Sequence, residues 1–153
     1  MLGDRLRFLI SPEAFFQTNT EMAERLYGAA VEMAGLTGRE RVFDLFCGIG
    51  TISIALSLAA GEVWGIEVVE EAGRPEVVVV DPPRAGLSQK IVRRILEAEP
   101  RRIVYVSCNP TTLAPNARQM ADAGYELARV RPVDMFPQTP HIECVALLER
   151  SSA

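Results

Sequence analysis

Two side chains in this sequence are well placed for covalent chemistry: a cysteine closing one apolar run and a glutamate opening another. Cys108 lies in Ser107-Cys108-Asn109-Pro110, directly after the apolar stretch 103–106. A thiol at the open end of a buried strand, ahead of a helix N-terminus, can have its pKa lowered and act as a nucleophile. An isolated cysteine is more often a small buried hydrophobe. Glu143 begins the apolar stretch 143–149 within His141-Ile142-Glu143-Cys144. Loss of water there raises a carboxyl pKa toward the range useful to a base, whereas on an edge strand it stays a solvated acid. His141, the single histidine, fits a local hydrogen-bonding role. Cys47 in a tight turn and Cys144 in an apolar strand fit packing.

A second group of residues suits ligand binding. Asp44-Leu-Phe-Cys-Gly-Ile-Gly50 reads as strand, glycine turn and helix start. Glycines allow close backbone approach, and a helix N-terminus presents free N–H groups. Glu67 closes the following strand, where an acid can accept hydrogen bonds from ribose hydroxyls. A tight βα turn accounts for the glycines alone; with Glu67, an adenosine-containing cofactor is favoured. Ser53 stands where a third glycine would serve a pyrophosphate, which points away from dinucleotides. Asp81-Pro82-Pro83-Arg84 follows a strand as a stiff loop, since proline fixes φ. Its plainer reading is a helix-capping turn.

The elements that must position these groups follow from periodicity. Asn19 or Thr20 caps a helix whose stripe is Met22, Leu26, Ala29, Ala30 and Met33, ended by Gly35 and Gly38. Strands are expected at 41–46, 63–68, 77–80, 103–106, 127–132 and 143–149, and helices at 51–60, 87–97 and 111–123. Four consecutive valines at 77–80 suit a strand covered on both faces. Alternation of strands and helices predicts an α/β sheet with helices on both faces and ligands at the strands' carboxyl ends. The link from 69 to 75 is shorter than the dozen or so residues a parallel crossover needs. Either those strands are antiparallel neighbours or a segment is missing.

The chain's 153 residues suffice for one compact domain, with 48% hydrophobic and 24% charged residues. No apolar run approaches the roughly 18 residues of a membrane span, and the first residues lack a signal-peptide layout. Three cysteines without a CxxC pair suggest neither a zinc site nor a disulfide framework, and predict a reduced, cytoplasmic protein. A net charge of −4 argues against autonomous binding to nucleic acid. The arginine pairs 5/7, 93/94, 101/102 and 129/131 read equally well as solvated surface.

Taken in order, Phe16-Gln17-x-Asn19, Asp44-Leu-Phe-Cys-Gly-x-Gly50, Gly65-Ile-Glu67, Asp81-Pro-Pro-Arg-Ala-Gly86, Ser107-Cys-Asn-Pro110 and His141-x-Glu143-Cys144 resemble the bacterial and archaeal RNA 5-methyluridine methyltransferases, over about residues 8 to 149. The resemblance implies a Rossmann-like class I methyltransferase fold: a mostly parallel sheet with an antiparallel C-terminal strand. It implies a single S-adenosylmethionine-dependent catalytic domain over 1–153, acting on C5 of a uridine in tRNA or 23S rRNA. Gln17, Phe46, Thr51, Glu67 and Asp81 would line the S-adenosylmethionine site; Thr51 stands where many relatives have Asn. Cys108 would be the nucleophile and Glu143 the base. Asp81 and Arg84 would meet the substrate, and no metal is implied.

Relatives carry an N-terminal RNA-binding region, sometimes with an iron–sulfur segment, which is expected to supply most RNA affinity and has no counterpart here. They also carry a helix, a strand and a further loop where this chain has 68–76, so the third-strand region is expected to be missing. If that link is truly short, weak cofactor binding and little turnover are expected. A cytosine-C5 methyltransferase would show a second cysteine near Asp81-Pro-Pro, and an amino-group methyltransferase an aromatic where Arg84 stands. A fragment that binds cofactor or RNA without turnover is the non-enzymatic alternative.

Overall fold

The computed structural model of the chain describes residues 19–66 and 74–151. Helix α1 spans Thr20–Ala34. Asn19 starts it: its Oδ1 accepts the Met22 N–H, and its Nδ2 donates to the Met135 carbonyl 3.0 Å away. Gly35 ends it in the left-handed conformation, its N–H turned back to Glu32. The remaining elements are β1 (Arg41–Leu45), α2 (Thr51–Ser57), β2 (Glu62–Ile66), β3 (Val77–Val80), α3 (Gln89–Ala98), β4 (Arg102–Ser107), α4 (Pro110–Asp122), β5 (Tyr125–Val133) and β6 (Glu143–Arg150).

The strands form one sheet in the order β2-β1-β3-β4-β6-β5. The first four are parallel; β6 runs antiparallel to both β4 and β5. Alternate residues of β1 and β3 serve opposite faces. Val42, Val77 and Val79 pack with Leu26, Ala30 and Met33 of α1 and with Ile52 and Leu56 of α2. Phe43, Leu45, Val78 and Val80 pack with Val92 and Ile95 of α3 and with Leu113 and Met120 of α4. This explains the unbroken valine run, since each side chain has its own apolar layer. The fold is the expected α/β sheet with helices on both faces and one antiparallel C-terminal strand, β6.

Several boundaries differ from expectation. Helix α2 stops at Ser57 rather than 60, because the chain turns there to bring the Gly61 N–H to the Glu40 carbonyl. A side chain at Gly61 would collide with the backbone of Gly38 and Arg39. Helix α3 begins at Gln89 rather than 87 because Ser88, not Leu87, is its cap. Strand β5 is longer than the expected 127–132. Strand β2 reaches Ile66, and the expected continuation at 67 and 68 lies outside the described residues.

The two readings of the short link separate here. Strands β2 and β3 are not antiparallel neighbours. They flank β1 on opposite sides, both parallel to it, with Val63 opposite Val42 and Val77 opposite the same Val42. Only ten positions separate the end of β2 at Ile66 from the start of β3 at Val77, fewer than the usual dozen or more of a parallel crossover. Strand β2 is the sheet edge. Its Trp64 is 46% exposed, although its ring lies 6.3 Å from that of Phe43.

Arg5 and Arg7 lie outside the described residues, and five arginines of the other expected pairs are engaged with acids. Arg129 and Arg131 both bond Glu32, Arg93 and Arg94 face Glu97, and Arg102 meets Glu149 and the carbonyls of Ala34 and Gly35. No helix among the described residues is long and apolar enough to cross a membrane.

Candidate active site

Register brings the site together. Leu45 pairs with both Ile66 and Val80, and Val80 with Tyr105, so three parallel strands finish on one level. Strand β4 runs two residues past that level to Ser107, which pairs with Cys144 near the start of antiparallel β6. Phe46, Asp81, Cys108 and Glu143 are thus the next residues at one end of the sheet. Cys108 and Glu143 are 35 positions apart in sequence but flank a single rung.

The glycine turn shows why its residues are needed. Phe46 takes φ 65°, unusual for a side-chain-bearing residue, and Gly48 and Gly50 take φ 53° and 81°. Among the described residues, a side chain at Gly48 would meet nothing within 4 Å. Beneath it, the Ser53 hydroxyl donates to the fully buried Asp44 at 2.5 Å. Gly65 allows β2 to pass: a Cβ there would lie 3.1 Å from both the Cys47 Sγ and the Ser53 Oγ.

Two loops clasp each other around Cys108. The Ser107 hydroxyl donates to the Asn109 carbonyl and accepts the Asn109 N–H, closing a small ring about the cysteine. Asn109 caps α4 through Thr111. Its Nδ2 and the Thr112 hydroxyl both donate to the Arg84 carbonyl, tying the 81–86 loop to α4. Gly86, at φ 76°, leaves no room for a side chain against Asn116 and Thr112. The Arg84 guanidinium reaches the His141 Nδ1 at 3.1 Å. The 81–86 segment is thus a clamped loop and caps no helix; Ser88 does that.

The electrostatics correct one expectation. The Cys108 thiol is held above its ordinary range, not below it: burial is the largest cause, followed by Glu143 and Asp81, with Arg84 opposing. The N-terminus of α4, which was to stabilise a thiolate, is already occupied by Asn109. Glu143 is 6% exposed and β6 is an interior strand, so it is not a solvated edge residue. Burial raises its pKa, and Arg84 pulls it back. Asp81 is pushed up to about 7 by burial, then by the charges of Glu143 and Asp44. Burial likewise raises Cys144, which packs in the core.

Gln17 and Glu67 lie outside the described residues. Thr51 opens α2 and shares a hydrogen bond with Tyr27, a buried residue of α1 that also feels Asp81 and Asp44. Tyr27 was not anticipated; its position beside Leu26 in an apolar helix face gives no sign of a polar task. Asn116 was also missed. It is a buried amide inside α4 that accepts the Tyr105 hydroxyl and both donates to and accepts from the Leu87 backbone.

Comparison with known proteins places this arrangement. An RNA methyltransferase of Caldanaerobacter subterraneus subsp. tengcongensis, named as uncharacterized, is 45% identical over 179 residues, covering 95% of this chain. The chain spans about 40% of the length of that relative. The crystal structure of Pyrococcus abyssi tRNA (uracil-54, C5)-methyltransferase in complex with S-adenosyl-L-homocysteine superposes with a TM-score of 0.76 at 34% identity, over 95% of this chain and 42% of the other. A precorrin-6y C5,15-methyltransferase of Geobacter metallireducens shares the fold alone, with a TM-score of 0.66 at 14% identity over 94% of each chain. The family described as tRNA (Uracil-5-)-methyltransferase matches residues 67–151. That stretch is more than half of the chain and holds Asp81, Arg84, Cys108 and Glu143: the chain belongs to the tRNA (uracil-5-)-methyltransferase family.

Proposed function

We propose that this chain is the catalytic domain of an S-adenosylmethionine-dependent enzyme that methylates C5 of a uridine in tRNA or 23S rRNA. One observation carries the reading: the β4–β6 ladder sets Cys108 and Glu143 at one end of the sheet, beside Asp81 and the glycine turn. The turn suits the cofactor: Phe46, Gly48 and Gly50 take left-handed backbone there, Thr51 follows it, and the Asp81 N–H donates to the Leu45 carbonyl just before it. Those three, with Gln17 and Glu67, would hold it. When bound, S-adenosylmethionine supplies an electrophilic methyl group.

Carbon C5 of uracil is a poor nucleophile, and Cys108 remedies this. Its thiolate adds to C6, forming an S–C6 bond and moving the C5–C6 electron pair toward O4 as an enolate. C5 is then electron-rich enough to take the methyl group. Asp81 hydrogen-bonds the uracil edge and fixes its orientation. Glu143, ionised, removes the proton left on C5; those electrons restore C5–C6 and expel the Cys108 thiolate. The raised pKa of Glu143 strengthens it as a base, and Arg84 opposes the rise. The target uridine must leave its stack, so a loop or single-stranded site is expected. Net charge −4 leaves most RNA affinity to an additional region of the protein.

A segment missing near 68–76 also belongs to this reading. The alignment to the Caldanaerobacter relative, 179 residues long, exceeds the 153-residue chain itself. The short crossover and the exposed Trp64 support a loss beside β2. The same features favour a second reading, a binding domain without turnover.

Trapping separates the two. RNA carrying 5-fluorouridine offers no C5 proton to remove, so a nucleophilic Cys108 would remain bound after methyl transfer. Denaturant-resistant, cofactor-dependent adducts on Cys108, lost in Cys108→Ser, are expected. If the full-length protein forms neither adduct nor methylated RNA, the enzymatic reading fails.

A further inference from the structure

Arg84 is fixed at both ends. Its carbonyl takes hydrogen bonds from Asn109 and Thr112, at 3.1 and 3.2 Å. Its guanidinium meets the His141 Nδ1 at 3.1 Å. A guanidinium has only donors, so this nitrogen must be the acceptor and the ring neutral on that side. The imidazole is itself held. Its ring stands edge-on to Phe136 with centroids 6.4 Å apart, and its backbone N–H donates to the Thr139 hydroxyl. That hydroxyl donates in turn to the Phe136 carbonyl. Two groups feel this guanidinium: Cys108 after β4 and Glu143 at the head of β6. Cys108 also feels the charges of Glu143 and Asp81, and Arg84 is the cation that opposes them.

We propose that His141 is a positioning residue: its Nδ1 accepts from the Arg84 guanidinium and holds it beside Glu143 and Cys108, so that Cys108 ionises next to a cation. Released from the imidazole, a long exposed arginine spends much of its time in water, and its charge is screened. The proposal deepens the reading of Cys108 as nucleophile, but its test needs neither RNA nor cofactor, so the two can fail separately.

The test is the pH dependence of iodoacetamide alkylation at Cys108, followed by mass spectrometry of the peptide that contains it. His141→Phe keeps the ring against Phe136 and deletes the acceptor. Its alkylation midpoint is expected to rise by about half a pH unit or more. His141→Asn returns an acceptor oxygen near the Nδ1 position and should restore most of the wild-type profile. Arg84→Gln should reproduce the shift, and adding His141→Phe to it should shift the midpoint no further. His141→Ala serves in place of Phe if the larger ring disturbs the loop. An unchanged midpoint in both the Phe and Ala variants would overturn the proposal, as would fully additive shifts in the double variant.

Discussion

Asn116 holds Leu87 by both halves of its amide: the Leu87 N–H donates to Oδ1 at 2.9 Å, and Nδ2 donates to the Leu87 carbonyl at 3.1 Å. The same Oδ1 accepts the buried Tyr105 hydroxyl at 3.0 Å. One polar residue inside α4 thereby ties the end of the 81–86 loop to the central strand β4. Asn116→Ala strands two backbone groups and a phenol in the core. A loss of about 2–4 kcal/mol is expected, read from urea unfolding, with Asn116→Asp intermediate because it keeps the acceptor alone.

Glu143→Gln should separate addition from elimination. The amide cannot take the C5 proton, so turnover is expected to fall by about a hundredfold or more while the covalent Cys108–RNA species accumulates. Denaturing gels with ordinary, non-fluorinated RNA provide the measurement. A variant that slows turnover without accumulating adduct would give Glu143 some other role.

Asp81 makes stability depend on pH in a definite direction. Its folded pKa, about 7, lies above the ordinary 3.8, so the folded state keeps a proton that the unfolded chain gives up. That contribution is complete below the unfolded value and is lost as pH rises through the folded one. Asp81→Asn should be stabilised relative to wild type at pH 8, by on the order of 2 kcal/mol after allowing for partial solvent access, with the advantage fading toward pH 4. Equal offsets at both pH values would mean that Asp81 is ionised in the folded protein at neutral pH.

Trp64 lies on the outer strand with half its surface in water, so Trp64→Lys should change stability by less than about 1 kcal/mol. It should also reduce self-association, because a charge on an open edge discourages strand pairing. Light scattering during concentration checks this. A large loss of stability would mean that something covers this edge.

Much of the site was legible in the sequence because its residues sit where hydrophobic patterns end. Asp81 follows the valine run, Cys108 the strand before it, and Glu143 opens a strand; registers ending on one level then follow from an α/β sheet. What was not legible depended on distant partners. The Cys108 pKa is raised first by burial and then by Glu143 and Asp81, which the β4–β6 and β3–β4 ladders bring close. Tyr27 and Asn116 look like ordinary helix residues until Thr51, Leu87 and Tyr105 are placed against them. The short link was recognised as anomalous from its length, but only the two-sided pairing of β1 excludes the antiparallel explanation.

Among the described residues strand β2 pairs on one side only, and its companion α2 is seven residues long. Little buried surface secures this corner, so it is the part that opens first, at a free energy below that of global unfolding. The glycine turn leads directly into α2. A ligand seated there stabilises the closed corner according to its own affinity and concentration. Slowed amide exchange across 51–66 would therefore report occupancy, and the corner's order and the ligand's affinity are coupled quantities.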